Sequence, residues 1–170
     1  MTVYAGIDNG LDGGVVAVDF SDHHSIFRVI EVSPSEWIKK GKKNSRRLIV
    51  PAMVKIIARL KELDALVVLE EAQSMPDQGV KSMFTTGLGR GLWEGMLAMA
   101  GVRYETVHPR TWQTTLFKGT PGGDPKSRAT EYAQRMFPMA NFILPRCRKP
   151  HDGLCDAACM VLYARMKFGA

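Results

Sequence analysis

The stretch Tyr4-Ala5-Gly6-Ile7-Asp8-Asn9-Gly10-Leu11-Asp12-Gly13-Gly14 leads directly into the apolar run Val15-Val16-Ala17-Val18. This pattern predicts a strand that ends on a carboxylate, then a glycine-rich turn and a second strand. Asp8 interrupts an apolar run at a position where the strand should pack. A buried, unpaired carboxylate costs several kcal/mol or stays protonated, so Asp8 indicates a bound cation or a role in proton transfer. Other carboxylates are therefore expected to converge on it.

The length of 170 residues predicts one domain spanning residues 1–170. The hydrophobic content of 45% is enough to build a globular core. No apolar run is long enough to span a membrane, and no secretion signal is recognisable, so we expect a cytoplasmic protein without a membrane partner. The three cysteines are an odd number and predict no disulfide framework. Cys155 and Cys159 are interpreted as core thiols, since no other zinc ligands stand at suitable spacing.

The chain is basic, with 23 Lys and Arg against 17 Asp and Glu and a net charge of +6. This balance favours a polyanionic partner such as nucleic acid. A dense run of positive charge lies between Trp37 and Arg47, and it predicts a mobile surface loop because like charges repel. This loop is either a solvated linker or a contact to a phosphate backbone. Its basic residues are Lys39, Lys40, Lys42, Lys43, Arg46 and Arg47.

Hydrophobic periodicity predicts an α/β fold with a mixed sheet flanked by helices. Residues 2–8, 13–20 and 25–32 have the pattern of a three-stranded antiparallel meander. An amphipathic helix over 50–63 then leads to a short apolar run at 65–69, which is typical of a buried parallel strand. That strand ends at Glu70-Glu71, the end at which open α/β sheets place their sites.

The second half continues with helices and one further strand. A helix from about Ser82 to Ala100 carries Gly87, Gly91 and Gly95 on one face, which predicts close approach by another backbone, either the sheet or a second copy of the chain. A strand over 102–107 and a helix over 126–137 follow, then a basic loop over 141–150 with three cationic residues. These are Arg146, Arg148 and Lys149.

The final helix, from about His151 to Met166, places Asp152 and Asp156 one turn apart on the same face. With Asp8 and Glu70 they form a set of four carboxylates that could hold two hard cations such as Mg²⁺ or Mn²⁺. Alternatives remain for two positions. Asp152 could simply cap the helix, and Glu71 could act in place of Glu70.

The order of these motifs resembles the RuvC-type Holliday junction resolvases of the ribonuclease H-like superfamily, most closely their phage and prophage branch. The resemblance covers nearly the whole chain except residues 38–47. It is carried by Gly6-Ile7-Asp8-Asn9-Gly10, Leu69-Glu70-Glu71, the segment from Met75 to Phe84, Pro109-Arg110-Thr111-Trp112 and His151-Asp152-Gly153-Leu154-Cys155-Asp156-Ala157.

The resemblance implies a homodimeric endonuclease, dependent on Mg²⁺ (with Mn²⁺ as a possible substitute) and on no nucleotide cofactor, that cuts four-way DNA junctions by paired symmetric nicks. It implies that Asp8, Glu70, Asp152 and Asp156 form the catalytic, metal-binding tetrad. The loop from Gln73 through Lys81 to Phe84 would read the branch point, with Met75 or Phe84 as a wedge or as core packing. Lys126 would lie near the scissile phosphate or else be a solvated residue at a helix start.

Three departures from the family pattern bear on the site. Asn9 replaces a proline that relatives commonly have after the aspartate, and Gln113 stands where many have a lysine. The order His151-Asp152 leaves His151 as a possible ligand. The substrate could also be other branched DNA or an RNA–DNA hybrid, and a non-cleaving junction-binding protein is a further alternative.

Overall fold

A computed structural model of the chain describes residues 3–21, 25–41, 43–72, 79–119 and 124–169, without the side chains of Lys40, Pro125 and Lys126. The strands are β1 (Val3–Asp8), β2 (Gly14–Asp19), β3 (Ile26–Val32), β4 (Ser35–Lys40), β5 (Lys43–Leu48), β6 (Leu66–Glu70) and β7 (Arg103–Val107). The helices are α1 (Val50–Glu62), α2 (Val80–Met99), α3 (Pro109–Leu116), α4 (Pro125–Met136) and α5 (Asp152–Phe168).

The main sheet has five strands in the order β3-β2-β1-β6-β7. Its first three strands pair antiparallel, and β6 and β7 run parallel to β1. The predicted α/β fold with an antiparallel meander and parallel strands is therefore confirmed. Because β1 and β6 are neighbours, Asp8 and Glu70 end adjacent strands at the same edge of the sheet.

Helices cover both faces of this sheet. The core on one face joins α1 and α2 to the strands through side chains such as Met53, Leu60 and Trp93. The core on the other face is built around α5, with α3 and α4 beside it, and includes Trp112 and Cys159. None of the described helices is long and apolar enough to cross a lipid bilayer.

Helix α5 lies unusually close to β1 and β2 because glycines line the contact. Gly13 and Gly153 form a parallel β-bridge. A Cβ atom added to Gly14 would lie 2.9 Å from the carbonyl oxygen of Gly153, and one added to Gly6 would lie 2.9 Å from Cβ of Met160. A side chain at any of these positions would push the helix away from the sheet. The close packing brings the start of α5 to the end of β1.

The basic segment is a two-stranded hairpin rather than the predicted mobile loop, and the prediction is wrong over the described part of it. Strands β4 and β5 pair antiparallel from Ser35↔Leu48 to Lys40↔Lys43. Internal ion pairs offset the charge repulsion that suggested a loop: Arg47 bonds Glu36 at 2.8 Å, and Arg46 bonds Asp12 of the turn after β1. Lys42, which follows β4 in the sequence, lies outside the described residues.

Over the described part of the chain, the glycine face of α2 does not pack on the sheet, which was one of its two predicted partners. A Cβ atom at Gly87, Gly91 or Gly95 would meet nothing within 4 Å among the described residues, so no sheet strand packs there. The close approach occurs at Gly89 instead, where an added Cβ would lie 2.8 Å from the carbonyl oxygen of Asn9. Packing of the other three glycines against a second copy stays a prediction.

Candidate active site

Asp8 sits at the end of β1 and is held by the turn that follows it. The backbone N–H of Gly10 donates to Oδ1 of Asp8 at 3.1 Å, and the N–H of Gly13 closes the turn on the carbonyl of Gly10 at 3.0 Å. The hydroxyl of Ser33 donates to the main-chain carbonyl of Asp8 at 3.4 Å. These bonds fix the direction of the carboxylate at the edge of the sheet.

Asn9 ties the ends of β1 and β6 together. Its side-chain nitrogen donates to the main-chain carbonyl of Glu70, and the residue is only 4% exposed. A proline has no side chain that could make this bond. From the sequence, Asn9 was only a departure from the family pattern. The signal that could have indicated its role is an amide residue directly after the strand-ending carboxylate. If that amide is buried, it must find hydrogen-bond partners.

The surroundings of Glu70 shift its pKa far from the ordinary value of a glutamate. Its Oε1 accepts a hydrogen bond from the indole Nε1 of Trp112 at 2.9 Å. Burial, the charge of Asp8 and then that of Asp156 raise the pKa of Glu70 from 4.5 to about 8, although the bond from Trp112 opposes the shift. The three carboxylates thus share one electrostatic environment. The role of Trp112 was missed from the sequence, which placed it only within a family motif.

Glu71 points elsewhere. Its Oε1 accepts from the hydroxyl of Thr106 at 3.3 Å, and its backbone N–H donates to the carbonyl of Val107 at 2.8 Å. Successive residues of an extended chain point in opposite directions. The geometry therefore favours Glu70 over Glu71 as the member of the carboxylate set.

The N-terminal turn of α5 carries the other two carboxylates. His151 is the N-cap, and its Nδ1 accepts the backbone N–H of Leu154 at 3.3 Å. His151 thus supplies the helix cap for which Asp152 was the predicted alternative. Its Nδ1 already accepts a hydrogen bond from the backbone. Asp152 is exposed, whereas Asp156 is half-buried and close enough to raise the pKa of Glu70.

The donor set suits a hard divalent cation, since carboxylates are the protein ligands that Mg²⁺ and Mn²⁺ prefer. The repulsion that raises the pKa of Glu70 is also what a cation would relieve. Within the described ranges, however, no three His, Cys, Asp or Glu side chains lie close enough together to hold one ion. The residues nevertheless fit a metal by their chemistry and charge.

Two buried thiols lie behind the carboxylates on α5. Cys155 and Cys159 are free and fully buried. Burial is the main cause that raises the pKa of Cys155 to about 11, and it raises that of Cys159 as well. They are neutral core residues, as the sequence indicated.

Several residues predicted to contact DNA lie around this site. Arg148 and Lys149 line a groove of about 550 Å³ together with Asp12, His151 and Asp152, so the basic loop borders the end of α5. Arg146 in the same loop is exposed.

A second groove, of about 780 Å³, runs between the hairpin and α2 and includes Lys81, Phe84, Arg46 and Arg47. Phe84 is 70% exposed, so the core-packing alternative for it is wrong. Arg46 and Arg47 make the internal ion pairs already given, whereas Lys39 and Lys43 are exposed on the hairpin.

Some predicted site residues cannot be placed. Gln73 and Met75 lie outside the described residues, as does Lys42. For Lys40 the strand position is described but the side chain is not. The same holds for Lys126, which belongs to the first turn of α4. Their proposed roles stay predictions.

The five-stranded order, the meander and the covering helices define a ribonuclease H-like fold. No family model matches the sequence, and no curated protein matches it either. Solved structures do match. The chain is similar to "T. thermophilus RuvC in complex with Holliday junction substrate", with 20% identity, a TM-score of 0.62 and coverage of 98% of this chain and 96% of that one.

A second similar structure is "Thermus thermophilus RuvC structure", with 22% identity, a TM-score of 0.55 and coverage of 96% of each chain. At these identities the comparison establishes the fold. The resemblance seen in the sequence motifs is thereby confirmed at the level of architecture over nearly the whole chain.

Proposed function

We propose that the protein is a structure-selective endodeoxyribonuclease that resolves four-way DNA junctions by paired symmetric nicks. The observation that carries this proposal is the placement of Asp8, Glu70 and Asp156. Asp8 and Glu70 end adjacent strands of a RuvC-like fold, Asp156 lies near the start of α5, and the charges of Asp8 and Asp156 raise the pKa of Glu70. Repelling carboxylates held together in this way favour a cation site.

Asp8, Glu70, Asp152 and Asp156 would hold two Mg²⁺ ions, with Mn²⁺ as a substitute. When bound, such a pair would supply Lewis-acid chemistry for hydrolysis of a phosphodiester, favouring activation of water and stabilising the charge on the leaving oxygen. Trp112 orients the carboxylate of Glu70, and Asn9 fixes its main chain. Lys126 is proposed to lie near the scissile phosphate.

Paired symmetric nicks require two active sites on one junction, so we propose a homodimer. The basic residues around the site supply the phosphate contacts: Arg148 and Lys149 beside Asp152, Lys81 beside Phe84, and the exposed lysines of the hairpin. No nucleotide cofactor is required. We propose that the protein acts in the cytoplasm, or in the host cytoplasm if it is encoded by a phage.

The test is cleavage of an end-labelled four-way junction and of a linear duplex of matched sequence, with Mg²⁺ and with EDTA. We expect paired nicks at symmetric positions in the junction alone, abolished by EDTA. Cutting of flaps, forks or RNA–DNA hybrids instead would keep the nuclease and change its substrate. Tight junction binding without cuts in either Mg²⁺ or Mn²⁺ would identify a non-cleaving binding protein.

A further inference from the structure

The hairpin presents an indole to solvent. Trp37 is 71% exposed and lies directly opposite Arg46 in the β4–β5 register. The guanidinium carbon of Arg46 is 5.7 Å from the centroid of the indole ring. A tryptophan in water forfeits the burial of its large apolar surface, and tryptophan is enriched at binding interfaces. The position therefore indicates a surface that a partner covers.

Arg46 supports this indole and anchors the hairpin to the turn after Asp8. Its guanidinium forms an ion pair with Asp12 and donates to the carbonyl of Leu11 at 2.8 Å and to the hydroxyl of Ser35 at 2.7 Å. A guanidinium held by several acceptors is a rigid platform. Trp37 is thus a fixed feature beside the candidate active site, and Arg46 has a structural role in addition to the phosphate contact predicted for it, which stays a prediction.

A cleft of about 460 Å³ opens beside the indole. It lies between the hairpin and the start of α2, and its lining combines Trp37 with Asn44, Ser45, Arg46 and Lys81. This volume is within the range of about 300–1,000 Å³ that is typical of small-molecule sites. An aromatic face, two polar side chains and a lysine are the groups that recognise a base and its phosphate.

We propose that the Trp37 cleft binds one unpaired nucleotide of the DNA substrate, with the base stacked on the indole and the phosphate near Lys81. The inference rests on the proposed function and adds to it a contact at the branch point, where strands leave the duplex. Charge selects this occupant over a second copy of the chain. The only acidic residue of the hairpin, Glu36, is already paired with Arg47, so two such hairpins would repel each other.

The cleft and the candidate active site share the turn after β1. Leu11 lines the cleft beside Trp37, and Asp12 lines the groove that contains Asp152. A strand that passes along this turn would therefore meet both surfaces. Stacking at Trp37 would fix the branch relative to the carboxylates and so select branched over continuous duplex DNA.

The test uses the full chain in EDTA, so that no cutting interferes, and a four-way junction with 2-aminopurine at the branch. We expect wild-type protein to change the 2-aminopurine emission. Trp37→Ala should weaken junction binding about tenfold or more, as expected for loss of one stacked base. Trp37→Phe should retain most of the affinity because a ring remains.

Two controls separate stacking from charge and from general surface effects. Met139→Ala removes an apolar side chain that is 95% exposed at another position, and it should bind like wild type. Lys39→Ala combined with Lys43→Ala should weaken binding at low salt and lose its effect at high salt. The loss caused by Trp37→Ala should persist at high salt.

Binding by Trp37→Ala within twofold of wild type would overturn the inference. Equal losses for Trp37→Ala and Trp37→Phe would overturn it too, because they would indicate a structural role for the indole. If wild-type protein cuts no branched DNA in Mg²⁺, the proposed function fails. The inference is then decided separately, by titration of a single-stranded 2-aminopurine oligonucleotide against the same variants.

Discussion

The indole N–H of Trp112 donates a 2.9 Å hydrogen bond to Oε1 of Glu70, and it does so from a fully buried ring. The bond lowers the pKa of a carboxyl that burial and the charges of Asp8 and Asp156 raise to about 8. Trp112 therefore both orients Glu70 and favours its charged form. It comes from α3, which follows β7, so this contact depends on the packing of elements far apart in the sequence.

Trp112→Phe is expected to weaken metal binding about ten- to a hundredfold, as loss of a partner behind a metal ligand typically does. The reason is that Glu70 becomes harder to ionise once the N–H is removed. Mn²⁺ binding measured by electron paramagnetic resonance checks this independently of catalysis. Trp93→Phe is the matched control, because the Trp93 nitrogen is buried without a partner among the described residues. Equal losses in both variants would contradict the role assigned to Trp112.

Asn9→Ala is expected to slow cutting while leaving junction affinity within about twofold. The substitution removes the side-chain donor to the partly buried carbonyl of Glu70, which costs about 1–3 kcal/mol of unfolding free energy. Single-turnover cleavage and equilibrium binding, measured side by side, check the separation. Asn141→Ala removes an exposed amide whose oxygen accepts the backbone N–H of Ile143, and its cutting rate should match wild type. A similar drop in the cutting rate of both variants would argue against the role of Asn9 in holding the ends of β1 and β6 together.

The free energy of unfolding without metal should fall as the pH rises from about 5 to 8. The pKa of Glu70 is 4.5 unfolded and about 8 folded, so in this range the folded state holds a proton that the unfolded state has lost. This contribution is complete below pH 4.5 and disappears as the pH passes about 8. Its slope is at most about 1.4 kcal/mol per pH unit.

Denaturant titrations of wild type and Glu70→Gln in EDTA measure this slope. The variant should lose most of it, because glutamine does not titrate. Asp19 does not interfere, since the side-chain bond from Arg28 lowers the pKa of Asp19 to about 2, well below this range. With saturating Mg²⁺ the wild-type trend should reverse, because the ion binds the deprotonated carboxylate. Equal slopes of unfolding free energy against pH in the two proteins would show that the pKa of Glu70 is not raised in the folded state.

Gly153→Ala is expected to destabilise the fold by about 1–3 kcal/mol and to reduce cutting. The added Cβ would lie 2.6 Å from Cα of Gly13, and backbone atoms there cannot move without shifting α5 and its carboxylates. Thermal unfolding checks the stability. Gly95→Ala, in the exposed face of α2, is the control and should stabilise by about 1 kcal/mol, since alanine favours a helix and no described atom lies within 4 Å. Unchanged stability in Gly153→Ala would refute the close packing.

Asp8→Asn is expected to reduce cutting about a hundredfold or more while junction binding remains. The substitution removes a charge from the carboxylate set without changing the basic surface. Gel-shift and cleavage assays on the same preparation measure both. Asp64→Asn, an equal change of charge at an exposed residue paired with Arg103, should leave both unchanged. Parallel loss of binding and cutting would remove Asp8 from the proposed catalytic set.

Local patterns in the sequence were sufficient to predict the strands of the main sheet. Alternating and continuous apolar runs predicted the meander and the buried strand β6, because the period of the side chains directly reflects the face they bury. The order of Asp8, Glu70, Asp152 and Asp156 along the chain predicted that they would gather at one edge. In the structure, glycines at the turn after β1 allow the close approach of α5 that brings the start of this helix to the end of β1.

Only the tertiary structure decided which neighbour each side chain uses. Spacing could not distinguish Glu70 from Glu71, or predict that His151 would cap α5, because these roles depend on partners distant in the sequence. The hairpin was misread as a loop for the same reason. Its charge density is local, whereas the contacts of Arg46 with Leu11 and Asp12 that offset it come from more than thirty residues away. Secondary structure follows from local periodicity, and the chemistry of the site follows from long-range contacts.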